Sequence, residues 1–246
     1  MSETVIEVSV VAAPSVLWPA LRDPSLIRRW FGWEYDGLDD EITQIYSTAE
    51  ADPEALTLKL GNGDRFSLRE QDGKTVVRID RPPKSADDDW YDDITEGWTT
   101  FLQLLRFAVE HHGLAERKTI YLDGLLLPGE NVASVLGFTE IELEAGSRYA
   151  VTIAPGDYFE GVVDYVTDHQ FGLTVEDLGP GLLSVATQSV TAQRPDGGMS
   201  ILLTTYDLSD DEFDEIKHHW SSWSASTMGA PTGPLTLRWE GRRQES

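Results

Sequence analysis

The sequence predicts an α+β protein made of two successive domains, each a curved antiparallel β-sheet wrapped around a long C-terminal α-helix. Three observations predict it. Short runs of strand-like alternation joined by tight turns fill most of both halves. A long amphipathic segment closes each half, through Trp98 and Phe101 in the first and through Trp220 and Trp223 in the second. Landmarks also repeat at a domain-scale interval of roughly 115–120 residues: Pro14 matches Pro128, Trp98 matches Trp220, and Phe101 matches Trp223. The boundary falls near Gly113–Lys118, which predicts one domain over 1–114 and a second, diverged one over 115–246.

Within the first half, Thr4 to Ala12 alternates Ile6, Val8 and Val10 against Glu7 and Ser9, as a half-buried strand does. Pro14 stands where a helix starts, and Pro19 limits that helix. Asp23-Pro24 opens a second short helix that Gly32 stops. Strands are predicted over 41–47, 55–60, 64–70 and 74–80. Gly61-Asn62-Gly63 and Asp72-Gly73 supply hairpin turns, so neighbouring strands run antiparallel. Pro82-Pro83 ends the sheet. The acidic run Asp87, Asp88, Asp89, Asp92 and Asp93 then precedes a helix reaching His112, with acids at its positive end, histidines at its negative end and Gly113 as its C-cap.

The pattern restarts in the second half. A strand over 119–127 is followed by Pro128 and a short helix through Val132, Val135 and Leu136. Strands are predicted over 141–143, 148–154, 158–167, 171–177, 182–191 and 199–207, with Pro195-Asp196-Gly197-Gly198 as a hairpin turn. Ser209-Asp210-Asp211-Glu212 is a capping box, and it opens the final helix through Phe213, Ile216, Trp220, Trp223 and Met228.

Composition narrows the chemistry. The 246 residues contain no cysteine, which excludes disulfides, thiolate metal sites and thiol nucleophiles, and fits a reducing, cytoplasmic setting. The acidic N-terminus is unlike a signal peptide, and no stretch reaches the ~18 apolar residues a membrane span needs. A net charge of −24 repels nucleic acid and anionic membrane surfaces, so neither is an expected partner.

Several motifs in the first half resemble one family. They are Ala20-Leu21, Asp23-Pro24 and Arg29-Trp30-Phe31-Gly32, then Glu96-Gly97-Trp98 with Phe101 and Leu102 after it. Together with the opening strand, they look like the START-like (SRPBCC, helix-grip) proteins related to the activator of heat-shock protein 90 ATPase, over about residues 1–112. The second half is similar only in element order and in Trp220-Ser221-Ser222-Trp223. There Lys217-His218-His219 replaces the glutamate–glycine approach. The resemblance implies a cavity between sheet and helix. Family members bind apolar molecules, act as cyclases or hydrolases, or serve as co-chaperones.

No sequence motif carries a recognisable reaction. The five histidines have no metal-binding spacing, and adjacent ones on a helix point about 100° apart. The acidic run lacks the calcium-loop pattern. GxSxG, GxxxxGK[ST] and GxGxxG are all missing. No metal or cofactor is therefore expected. Eight tryptophans are the more informative feature. Those on the two long helices either fill the core or line a pocket. The leading expectation is a non-enzymatic module that binds a small apolar molecule. Its cavity would be bounded by Trp30, Phe31, Gly97, Trp98 and Phe101, with Trp220 and Trp223 in the equivalent place of the second domain. A protein partner recognised by the acidic surface is the second expectation. The third is a cyclase- or hydrolase-type enzyme using Glu96, His218 or His219 as acid or base.

Overall fold

The computed structural model describes residues 4–85, 90–138, 142–190 and 194–229. The chain divides into two compact units, one running to Ala115 and the other starting at Glu116. Asp87, Asp88, Asp89 and Ile141 lie outside the described residues.

In the first unit, β1 (Thr4–Val10) is followed by α1 (Pro14–Ala20), α2 (Pro24–Ile27) and α3 (Leu38–Tyr46). Strands β2 (Glu50–Asp52), β3 (Thr57–Lys59), β4 (Arg65–Gln71) and β5 (Lys74–Arg81) come next, and α4 (Tyr91–His112) closes the unit. The sheet order is β1-β5-β4-β3-β2, so the first strand pairs antiparallel with the last. Register brings Ile6, Val8, Phe66, Leu68, Val77 and Ile79 to one face, because Ile6 opposes Ile79, Val8 opposes Val77, and Phe66 and Leu68 oppose the same two. Helix α4 lays Trp98, Phe101, Leu102 and Leu105 on that unit's core, all buried. It stops at Gly113, whose φ of 55° is the left-handed geometry a helix C-cap uses. Asp72 and Gly73 both take positive φ, as the tight β4–β5 hairpin requires.

The second unit repeats the plan. Here β6 (Lys118–Leu125) and α5 (Val132–Leu136) lead into β7 (Arg148–Thr152), β8 (Tyr158–Val166), β9 (Gln170–Val175), β10 (Gly181–Gln188) and β11 (Gly198–Thr205), and α6 (Asp210–Thr227) ends it. The sheet order is β6-β11-β10-β9-β8-β7, again first strand against last. Helix α6 begins with the expected capping box: Ser209 and Glu212 bond each other's backbone N–H. Its Phe213 and Trp220 join the core made by Leu183, Val185, Ile201 and Leu203. Beyond α6 the chain returns to β6, where Leu125 and Gly229 form an antiparallel bridge. Both units are thus α+β helix-grip folds, an antiparallel sheet closed around its terminal helix.

Some local expectations fail. Residues 41–47 are not a strand; they lie in α3 and the residue after it. Leu38, Ile42 and Ile45 are its buried positions, spaced four and three apart, which is a helical stripe. Asp39, Asp40 and Glu41 occupy its first turn, where acids favour the helix dipole. The strand predicted over 55–60 shrinks to Thr57–Lys59, preceded by Leu56 at a φ of 51°. Glu142 and Leu143 are not in a strand. The strand predicted over 171–177 ends at Val175 and gives way to a 3-10 turn at Glu176–Leu178. Pro19 does limit α1 as expected: the helix ends one residue later.

Candidate functional site

In the first unit the aromatic residues singled out from sequence come together. The segment after α2 contributes Trp30 and Phe31, and α4 contributes Trp98 and Phe101. Ring centroids are 4.8 Å apart for Phe31–Phe101, 5.7 Å for Phe31–Trp98 and 6.1 Å for both Trp30–Phe31 and Trp98–Phe101. Edge-on and tilted rings of this kind add about 0.5–1.5 kcal/mol per pair beyond their burial. All four side chains are buried. Gly97, beside Trp98, is half-buried. Local chemistry holds the wall in place. The Trp30 indole Nε1–H donates to the Ala20 carbonyl at 2.9 Å, tying the loop to α1. At Gly32 the φ is 64°, the left-handed region that favours glycine, and a β-carbon there would press on the tip of the Leu38 side chain at 2.7 Å.

One end of the cluster rests on a buried polar network. The Trp98 indole N–H donates to Asp64 Oδ2 at 2.9 Å, and Arg81 Nε donates to Asp64 Oδ1 at 3.3 Å. Asn62 donates to Asp64 Oδ2 at 2.7 Å. Arg81 also donates to the Tyr91 carbonyl at 2.7 Å and to Thr95 Oγ1, and its guanidinium lies 4.2 Å from the centre of the Tyr91 ring. Asp64 and Arg81 are both buried, and the pair joins the β3–β4 turn and the end of β5 to the first turns of α4. With its hydrogen bonds made, a buried pair of this kind is tolerated; with one member removed, the other is left as an uncompensated charge.

A second polar group adjoins the cluster on α3. Tyr46 stacks edge-on against Phe31 at 6.1 Å. Tyr46 is half-buried, but its hydroxyl is turned inward, out of reach of solvent, and has no hydrogen-bond partner. On the same helix Glu41 accepts a hydrogen bond from the Tyr35 hydroxyl. Burial pushes the Glu41 carboxyl above its usual range, and the bond from Tyr35 pulls it part of the way back. Burial, reinforced by the Glu41 charge, pushes the Tyr46 phenol upward, so it stays protonated as a donor. Asp64, Arg81, Glu41 and Tyr46 escaped the sequence reading. The strand assigned to 41–47 hid the last two. The only sequence sign of the first two was a charged residue at an inward-facing register position.

In the second unit Trp220 is buried and stacks on Phe159 at 6.0 Å with ring planes 15° apart; Trp223, half-buried, meets Trp220 edge-on at 5.9 Å. His218 and His219 are exposed. His219 faces Asp157 at 3.5 Å, a surface pairing outside the core. Glu96 belongs to the first unit, on α4. An open pocket of about 300 Å³ lies on the second unit, lined by Arg148, Tyr149, Ala150, Glu160, Gly161 and Glu176, none of which the sequence had pointed to. No His, Asp or Glu grouping that could hold a metal occurs among the described residues. No helix among them is long and apolar enough to cross a membrane.

The class these features define is a fold: two α+β helix-grip units in one chain, the first with an aromatic cluster between sheet and helix. No family model matches the chain, and no curated protein does. Among solved structures, it is similar to the di-domain ARO/CYC protein BexL from the BE-7585A biosynthetic pathway, at 12% identity and a TM-score of 0.36, covering 94% of this chain and 100% of that one. DynU16, a protein of the dynemicin biosynthetic locus, is 15% identical with a TM-score of 0.34, covering 92% and 97%. The Aha1 dimer of Colwellia psychrerythraea is 16% identical with a TM-score of 0.35, covering 45% of this chain and 98% of its own.

Proposed function

We propose that the first unit binds a small, largely apolar molecule between α4 and the sheet, without turning it over. The supporting observation is the convergence of Phe31 with Trp98 and Phe101 from a different element, at centroid distances of 4.8 and 5.7 Å, beside two polar groups. Apolar walls with a few fixed polar groups are what ligand sites are made of. The Asp64–Arg81 network keeps one wall rigid, and α3 is the side from which the ligand enters, because Tyr46 and Glu41 there are half-buried. The Tyr35–Glu41 pair binds rather than catalyses in this reading. Its carboxylate is already engaged by a phenol.

Native mass spectrometry of the intact chain, purified from its own host, tests this. A non-covalent adduct that disappears on denaturation is expected. A bare chain that also fails to take up the neutral dye Nile red contradicts the reading.

A second reading, docking of a basic protein partner on the acidic surface, draws on the net charge of −24. It predicts a complex that dissociates as salt screens exposed charges.

A further inference from the structure

We infer that the Tyr46 hydroxyl is a hydrogen-bonding station for an uncharged oxygen of the bound molecule. The ligand class is then a ring compound bearing a hydroxyl or carbonyl group at the end that faces α3. This rests on the binding reading above and adds to it the polarity and the orientation of the ligand.

The observation behind it is a buried tyrosine hydroxyl with no partner. A tyrosine near a surface ordinarily buries its ring and leaves its hydroxyl in water. Tyr46 does not: its oxygen is shut away from solvent and unbonded. A buried hydroxyl without a partner is costly to the fold, so the arrangement makes sense where something supplies the missing bond. The hydroxyl sits on a residue that touches Phe31, the ring that also meets Trp30, Trp98 and Phe101, so a molecule bound at this cluster would lie beside it.

The surroundings select an uncharged partner. Glu41, on the same helix, is close enough for its charge to act on the Tyr46 phenol, and it repels an anionic group. A cationic group finds no free carboxylate there, because Glu41 already accepts the Tyr35 hydroxyl. A neutral hydroxyl or carbonyl meets neither objection.

Equilibrium dialysis of the full chain against 2-naphthol and against naphthalene, for wild type and Tyr46→Phe, tests this. Wild type is expected to bind 2-naphthol about tenfold more tightly than naphthalene, the advantage of one satisfied buried hydrogen bond. Tyr46→Phe should erase the difference and leave naphthalene binding unchanged. Its melting temperature should match or exceed that of wild type, because an unpaired hydroxyl has been removed. Equal binding of the two probes by wild type overturns the station and leaves the aromatic cluster standing as a binding site. A 2-naphthol preference that persists in Tyr46→Phe does the same. A clear fall in melting temperature also overturns it, since the hydroxyl was then already bonded within the protein. Failure of both probes to bind overturns the binding reading and this inference together.

Discussion

Trp98 and Arg81 share one carboxylate: the indole N–H donates to Asp64 Oδ2 at 2.9 Å, and the guanidinium donates to Oδ1 at 3.3 Å. An aromatic wall residue on α4 is thereby fixed to the sheet through a buried ion pair. Asp64→Ala strands the Arg81 charge and is expected to cost about 3–5 kcal/mol, read from urea unfolding. Asp64→Asn keeps an acceptor for Trp98 but not the charge, and should fall between the two. An Asp64→Ala protein as stable as wild type would mean that the network does not anchor α4.

Glu41 provides a pH test. Its folded-state pKa is raised above the ordinary 4.5, so the folded protein holds the proton more tightly than the unfolded chain does. Stability from this group is therefore complete below the unfolded value and lost as pH rises through the folded one. Glu41→Gln removes the titration. Relative to wild type, it should gain stability between pH 4 and pH 7, measured as the difference in urea midpoint. A flat difference across that range contradicts the assignment.

The second unit's helix depends on its first turn. Ser209 Oγ accepts from the Glu212 N–H, and the Glu212 carboxylate accepts from the Ser209 N–H at 2.9 Å. Ser209→Ala should cost about 1 kcal/mol, seen in thermal unfolding of the chain.

His219 should be nearly silent. It is exposed and 3.5 Å from Asp157, an arrangement worth about 0–1 kcal/mol at a surface. His219→Ala is expected to leave both the unfolding midpoint and naphthol binding within error. A marked loss of binding would favour the reading in which His219 acts as an acid or base.

The large features were legible because they rest on periodicity and turn chemistry. Alternation in β1, positive-φ hairpin residues at Asp72-Gly73, the Gly113 cap and the Ser209 capping box each depend on a few neighbouring residues, and each forms as the local pattern requires. The aromatic cluster was partly legible too. Trp98 and Phe101 are three residues apart on one helical face, while Phe31 reaches them only through tertiary packing. Helix α3 was not legible as a helix. Leu38, Ile42 and Ile45 mark a helical stripe, but Ile42, Thr43 and Ile45 are also good strand residues, and the segment is too short for periodicity to decide. That single misreading concealed Glu41 and Tyr46. Asp64 and Arg81 were hidden for another reason: no local pattern says that a turn aspartate and a strand-end arginine will be buried together 17 residues apart.

The indole N–H groups of Trp30 and Trp98 give the most direct reading of the central claim, since each is buried and bonded to a known acceptor. In a nitrogen–proton correlation spectrum of the full chain titrated with 2-naphthol, both indole signals should shift saturably with one common Kd while the Trp220 signal stays in place. Signals from Trp30 and Trp98 that do not move at saturating 2-naphthol, or a response confined to Trp220 and Trp223, would contradict a ligand site between α4 and the first sheet.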